Sequence, residues 1–322
     1  MTITLFNEAE LADALPRTIE PFWKTQVRTG VFKGCKDVPV SYAWCVPDNP
    51  KGSVLISSGR IESLLKYKEV IYDCFRHQLA VFILDHRGQG LSGRMTDNPH
   101  HGYVESFSDY VADLMTFYHD IVKPHHKGPL SLLCHSMGSA IGALAALDNP
   151  ALFSKVVFCS PMFGIRPSLP DPLANLLLWM GKRKAAKAGM VADYFFGQGD
   201  YKPVTFGVNK LTHSEVRYQI FRQLYEASPA IQLGGVTTHW LEAARIAMAE
   251  IEQRAAQLTM PVRLYSAGDD KVVDNRAQRR VAGQIRQCKM MTIDGASHEL
   301  LIEKDAYRQP VMLDILTFLL AD

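Results

Sequence analysis

The sequence has no long apolar run. Its longest candidate, 173–180, falls well short of the ~20 residues that a bilayer-spanning helix needs. It has no excess of charge of one sign: 35 Lys and Arg stand against 33 Asp and Glu, for a net +2. No basic field is therefore available to attract nucleic acid, and no nucleic-acid partner is expected. Among six cysteines and eleven histidines there is no CxxC and no HExxH. His298-Glu299 lacks the second histidine four residues on, so no metal site is expected. The first stretch carries Glu8, Glu10 and Asp13 in place of a basic start, an apolar run and a cleavage site. With the cysteines scattered through apolar segments, this predicts buried free thiols in the reducing cytoplasm. No internal repeat or low-complexity tract is present.

What is there is an ordinary globular composition, 47% hydrophobic over 322 residues. That is enough for one large domain, or for a domain carrying an insertion. Short, nearly continuous apolar runs occur at 53–57, 80–84, 130–134, 155–159, 262–266 and 290–293. Runs of this kind suit parallel strands covered on both faces. Between most of them lie stretches with helical periodicity: Val70, Ile71, Cys74 and Phe75 in one, Tyr110, Val111, Leu114 and Phe117 in another. Residues 306–320 read as a closing helix, and 38–46 as an antiparallel edge strand. Alternation of this sort predicts an α/β fold, a mainly parallel central sheet with helices on both faces. The alternation breaks at 162–236, which holds Pro167, Pro170, Pro172 and Pro203 and helical pieces but no good strand. The expected organisation is a core of 1–161 and 237–322, with 162–236 as a mainly helical insertion.

The most informative segment runs from Leu130 to Ser139, LSLLCHSMGS. A buried strand ends in His135-Ser136-Met137-Gly138, and a run of small residues follows: Ala140, Gly142, Ala143, Ala145 and Ala146. This is the strand–turn–helix context of a nucleophile elbow, G-x-S-x-G, with Cys134 at the first glycine. The turn is strained and needs small neighbours. The serine at its tip has the next N–H and the helix N-terminus beside it, both able to face a developing oxyanion. The plain alternative is a buried strand–helix turn with a capping serine.

A serine hydroxyl needs a base, and the base an orienting acid. In α/β hydrolases the order along the chain is Ser, acid, His. The loop after 262–266 offers Asp269, Asp270 and Asp274, and the loop after 290–293 offers His298. Both loops leave the C-terminal end of a strand, where such sheets carry their sites. Asp270, before Lys271-Val272-Val273, best fits the usual spacing; Asp269 is the runner-up and Asp274 reads as structural. For the oxyanion, Met137 N–H is one expected donor, and Arg60 N–H, in the loop after 53–57, is the other. Gly88-Gln89-Gly90-Leu91-Ser92-Gly93 matches the dinucleotide fingerprint GxGxxG. That fingerprint requires a helix opening on its glycines, and Arg94-Met95-Thr96-Asp97-Asn98-Pro99 follows instead. A nucleotide-binding protein, or a non-catalytic binding protein on this fold, remains as an alternative class.

Asp85-His86-Arg87-Gly88-Gln89-Gly90-Leu91-Ser92 resembles the DHRGxGxS loop of lipase-like α/β hydrolases. The segments 58–63 with Lys66-Tyr67, then 161–165, 211–214, 272–276 and 303–306 narrow the resemblance to the lysophospholipase L2 family, related to the monoacylglycerol lipases. It runs from about Phe22 to Phe318. The departures from the pattern are Cys134 and Ser139 in the elbow and Ser58 where lipase oxyanion loops carry histidine. The resemblance implies Ser136 as nucleophile, Asp270 as acid, His298 as base, 162–236 as a cap over an acyl pocket, and no cofactor. It implies a lysophospholipase acting on a single-chain lipid ester through an acyl-enzyme, with a monoacylglycerol lipase or general carboxylesterase as the alternative. Within the cap, apolar 173–180 is followed by Lys182, Arg183, Lys184 and Lys187. Such a segment either seats the protein peripherally on an anionic bilayer or packs inward over the acyl pocket with a solvated basic end.

Overall fold

A computed structural model describes residues 3–166 and 170–321. Pro167, one of the residues marking the insertion, lies outside the described residues, as do the chain ends. Eight strands form one sheet: β1 (Arg28–Lys33), β2 (Pro39–Cys45), β3 (Gly52–Ser57), β4 (Leu79–Leu84), β5 (Leu130–His135), β6 (Lys155–Cys159), β7 (Val262–Ala267) and β8 (Cys288–Ile293). Their order across the sheet is β1-β2-β4-β3-β5-β6-β7-β8. From β4 to β8 every pairing is parallel; β1–β2 and β2–β4 are antiparallel.

The expected edge strand is antiparallel but does not lie at the edge. β2 is held between β4 and β1, and β1 forms the rim. β1 carries Arg28, Thr29 and Lys33 and is exposed at alternate positions, so it has no apolar run to betray it. The N-terminal helical stretch also went unforeseen: Glu8–Ala14 and Glu20–Gln26, joined by a π-helical turn. It buries Leu11, Ala14, Ile19 and Phe22 at helical spacing.

The apolar strands serve two cores. Side chains alternate along a strand, so Leu132 and Cys134 point to one face and Leu133 to the other. One core packs Leu55, Phe82, Leu132 and Val156 under the helices Phe107–Phe117, Met137–Asp148 and Thr238–Arg254. The other packs Ile56, Ile83, Leu133 and Val157 under Lys68–Arg76 and Asp305–Leu320. Burial on both faces is the reason these strands read as continuous apolar runs.

Between β6 and the helix Thr238–Arg254 that precedes β7 lie the helices Asp171–Lys187 and Glu215–Ala227, with irregular chain around them. Among the described residues, none of 162–236 joins the sheet, and the segment meets its surroundings through isolated bridges such as Tyr194 to Thr237. Parallel register brings the carboxyl ends of β3, β5, β6 and β7 side by side: Ser57 opposite Cys134, Cys134 opposite Phe158, Cys159 opposite Tyr265. The loops carrying Arg60, Ser136, Asp270 and His298 all leave this one edge.

Candidate active site

β5 ends at His135, and the helix Met137–Asp148 begins two residues later, so Ser136 must turn the chain alone. It does so at φ 50°, ψ −117°, a left-handed conformation that disfavours a non-glycine residue. The turn is locked from three sides: Ser136 N–H donates to Cys159 O at 3.0 Å, and Ser136 O accepts from Met162 N and Ser139 N, both at 3.0 Å. Close approach of the helix requires glycine at two positions. A Cβ on Gly138 would stand 2.1 Å from Ser57 O, and one on Gly142 would stand 2.5 Å from Cys134 Sγ. Gly142 thus makes the room that Cys134 takes in the elbow.

His298 Nε2 lies 2.9 Å from Ser136 Oγ, and His298 Nδ1 lies 2.7 Å from Asp270 Oδ2. The other Asp270 oxygen accepts the N–H groups of Val272 and Val273 at 2.8 and 3.0 Å. Burial pushes the Asp270 carboxyl up, but the His298 contact and these two N–H groups outweigh it and hold it below its usual range. Asp269, the runner-up, is exposed; its N–H ties the loop to Ala296 O. Asp274 caps the helix Asn275–Ala282 through Arg276 N–H, a structural task. The three residues expected to act together are therefore hydrogen-bonded in one relay.

Behind the relay lies a buried quartet that the sequence did not suggest. Lys66 Nζ bridges Glu62 and Glu299 at 2.7 Å each. His135 Nδ1 donates to Glu62 at 3.1 Å, and its Nε2 to the carbonyl of His298 at 3.2 Å. Burial would keep His135 neutral, but Glu62 and Glu299 raise it to about 9, so both ring nitrogens can donate. The quartet then carries two positive and two negative charges, which is how so polar a cluster can be buried. It joins the residue before Ser136, the residue after His298 and the loop bearing Arg60. Glu62, His135 and Glu299 have the mutual spacing of a metal site, with ligand atoms within 4.8 Å of one another. The Lys66 ammonium already takes the cation's place between the two carboxylates. No short motif marks this quartet, because its members come from three separate stretches of the chain.

The loop after β3 is held from below. Gly59 N–H donates to Glu62 Oε2, and Gln89 Nε2 donates to Gly59 O and Glu62 O at 2.7 and 3.2 Å. Gln89 belongs to the glycine-rich loop that matched a dinucleotide fingerprint. No helix opens on that loop; the next begins at Phe107. Its glycines serve another purpose: a Cβ on Gly90 (φ 54°) would stand 2.2 Å from the Asp85 carboxylate. That carboxylate in turn accepts from Leu64 N–H and Leu91 N–H at 2.5 and 2.7 Å. Arg87 pairs with Asp113 through Nε and Nη2, both at 2.6 Å. The motif is an internal brace for the site loop.

Ser136, His298 and Arg60 line a cavity of about 520 Å³, closed above by residues of 162–236 such as Leu211, Tyr218, Phe221 and Leu233. That is the size range of pockets that enclose small organic ligands. The covering segment is tied down: Arg60 Nη2 donates to Gly234 O and Gly235 O, and Tyr225 hydroxyl to Ile61 O. On its outer side, Leu173, Leu176, Trp179 and Met180 are exposed, while Leu178 is buried. Among the described residues no helix is long and apolar enough to cross a membrane.

Residues 48–305 match the family model described as serine aminopeptidase, S33. Lysophospholipase L2 of Escherichia coli is 36% identical over 92% of this chain and 88% of its own length. The probable lysophospholipase L2 of Haemophilus influenzae is 28% identical over 98% of this chain and 97% of its own. Rat monoglyceride lipase is 26% identical over 85% and 84%. Among solved structures, a soluble variant of the monoglyceride lipase of Saccharomyces cerevisiae superposes with a TM-score of 0.70 at 16% identity, over 92% of this chain and 95% of that one. The chain belongs to the serine aminopeptidase, S33 family of α/β hydrolases and is, within it, a relative of lysophospholipase L2.

Proposed function

We propose that this protein is a lysophospholipase: a serine hydrolase that cleaves the acyl ester of a single-chain phospholipid through an acyl-enzyme. The observation that carries the reading is the unbroken relay Ser136–His298–Asp270 at the floor of a largely apolar, covered cavity. A non-catalytic binding protein would have no need of it. His298 Nε2 takes the proton of Ser136 Oγ as the oxygen attacks the ester carbonyl. The N–H groups of Arg60 and Met137 hold the resulting oxyanion. Asp270 stays ionised and steadies the imidazolium. As the ester C–O bond breaks, His298 gives its proton to the departing glycerol oxygen. Water then attacks the acyl group with His298 as base, releasing fatty acid and restoring Ser136. The reading needs no cofactor. It takes 162–236 as the cap that shields the acyl pocket from water. The decisive experiment measures fatty-acid release from lysophospholipids, monoacylglycerols and short-chain esters; lysophospholipids should have the highest kcat/KM. A preference for monoacylglycerol would move the assignment to a monoacylglycerol lipase, and short esters alone to a general carboxylesterase.

The reading extends to peripheral contact with the inner face of a membrane; six free cysteines support a cytoplasmic enzyme. The outward side chains Leu173, Leu176, Trp179 and Met180 support the contact, with exposed Arg183 and Lys187 beside them. Lys182 and Lys184 are engaged by Glu242 at 3.0 Å and Asp193 at 2.5 Å, so they contribute less free charge. Replacing Leu176 and Trp179 with Ser and Arg183 and Lys187 with Gln should weaken binding to anionic vesicles by about tenfold or more, since each basic residue near such a surface contributes about 1 kcal/mol. Hydrolysis of a water-soluble ester should persist. Equal sedimentation of both proteins with the vesicles would remove the membrane contact from the reading.

A further inference from the structure

The cavity at Ser136 holds two guanidinium groups that no carboxylate balances. Arg222, on the helix Glu215–Ala227, is only 8% exposed, yet its hydrogen-bond partner is the Tyr201 hydroxyl, over whose ring it also lies at 5.3 Å. Arg60 gives its Nη2 to two backbone carbonyls and lies over the Trp240 ring at 5.1 Å, while its Nε is buried with no partner. Among the described residues neither arginine has an ion pair. This contrasts with the buried Arg87, Arg217 and Arg308, each matched to Asp or Glu. Burial without an acid lowers Arg60 to about 10. The acids that do line the cavity are already engaged. Glu62 and Glu299 belong to Lys66 and His135, and the exposed Asp200 accepts from Tyr194 hydroxyl and Asn98 at 2.6 and 2.9 Å. The cavity wall therefore has a surplus of positive charge, increased at its mouth by the exposed Arg166 and Lys202.

A buried cation with no counter-charge is costly unless an anion joins it, and a guanidinium fork fits phosphate oxygens in particular. We propose that Arg222, supported by Arg60, binds the head-group phosphate of the substrate and so sets the preference for a lysophospholipid over an uncharged monoacylglycerol. The proposal rests on the lysophospholipase reading above. It fits the chemistry of that substrate, in which only a few bonds separate the phosphorus from the scissile ester. The cleavage itself occurs at Ser136; the arginine contributes affinity and orientation.

The test compares wild type with Arg222→Gln and Arg222→Lys on a lysophospholipid and a monoacylglycerol of the same acyl chain, both below their micellar concentrations. The expected result is a fall of about tenfold or more in the ratio of the two kcat/KM values for Arg222→Gln, expressed mainly in KM, with part of the ratio kept by Arg222→Lys. Glycerol 3-phosphate should inhibit wild-type hydrolysis of the monoacylglycerol competitively, and about tenfold more weakly in Arg222→Gln. An unchanged ratio, or an equal loss on both substrates with inhibition by glycerol 3-phosphate unaltered, would leave Arg222 a cap-packing residue and overturn the proposal. A wild type inactive on lysophospholipid but inhibited by glycerol 3-phosphate through Arg222 would instead sink the lysophospholipase reading and keep the phosphate site.

Discussion

Replacing Ser136 with Ala is expected to lower kcat by roughly six orders of magnitude, since loss of the nucleophile from such a triad removes the whole covalent route. Covalent labelling by a fluorophosphonate should vanish with it. The fold should survive. The hydroxyl makes its contact with His298 alone, while the elbow is held by backbone groups that Ala keeps. His298→Ala should fall about as far, because nucleophile and base act as a unit. The measurement is single-turnover kinetics together with labelling and thermal unfolding. Persistent labelling of the Ser136→Ala protein, at another residue, would show that the nucleophile lies elsewhere.

Asp270→Asn should cost about four orders of magnitude in kcat, and Asp269→Asn little. The reason lies in hydrogen placement. The Asp270 oxygen facing the loop accepts two N–H groups, and an Asn oxygen can keep them. Its amide nitrogen would then face His298 Nδ1, donating where the carboxylate accepted. His298 is forced into the tautomer with hydrogen on Nε2 and cannot receive the Ser136 proton. Asp269 is exposed and has no place in the relay. Steady-state kinetics on a short-chain ester check the ranking; the reverse order would make Asp269 the acid.

Much of the architecture was legible because it is periodic. β3 to β7 were visible as apolar runs, since burial on both sheet faces leaves few polar positions in a strand; β8, partly exposed at the far rim, was visible only by its short run at 290–293. β1 was invisible for the opposite reason. It sits at the rim, most of its residues are exposed, and its Arg, Thr and Lys residues leave no pattern to read. That hidden strand is also what moved β2 from the edge to the interior. The N-terminal helical stretch was missed because prolines at positions 16 and 21 interrupt it.

The candidate site divides in the same way. Ser136, Asp270 and His298 could be chosen from their strand-ends because local chain geometry, a tight elbow and two loops leaving a parallel sheet, restricts where such residues can stand. Local sequence pointed to that much: the elbow and the candidate order serine–acid–histidine. Tertiary structure alone decided the rest. Glu62, Lys66, His135 and Glu299 are spread over 62–299 in the chain, yet hydrogen bonds tie them into one cluster. Arg222 is one of many arginines in the sequence and becomes distinctive only when the fold buries it, without an acid, in the wall of the cavity that Ser136 also lines. Charge balance in a buried site is a property of neighbours in space. A linear sequence states which charges exist, and only packing states which of them water no longer reaches and which partner each one finds.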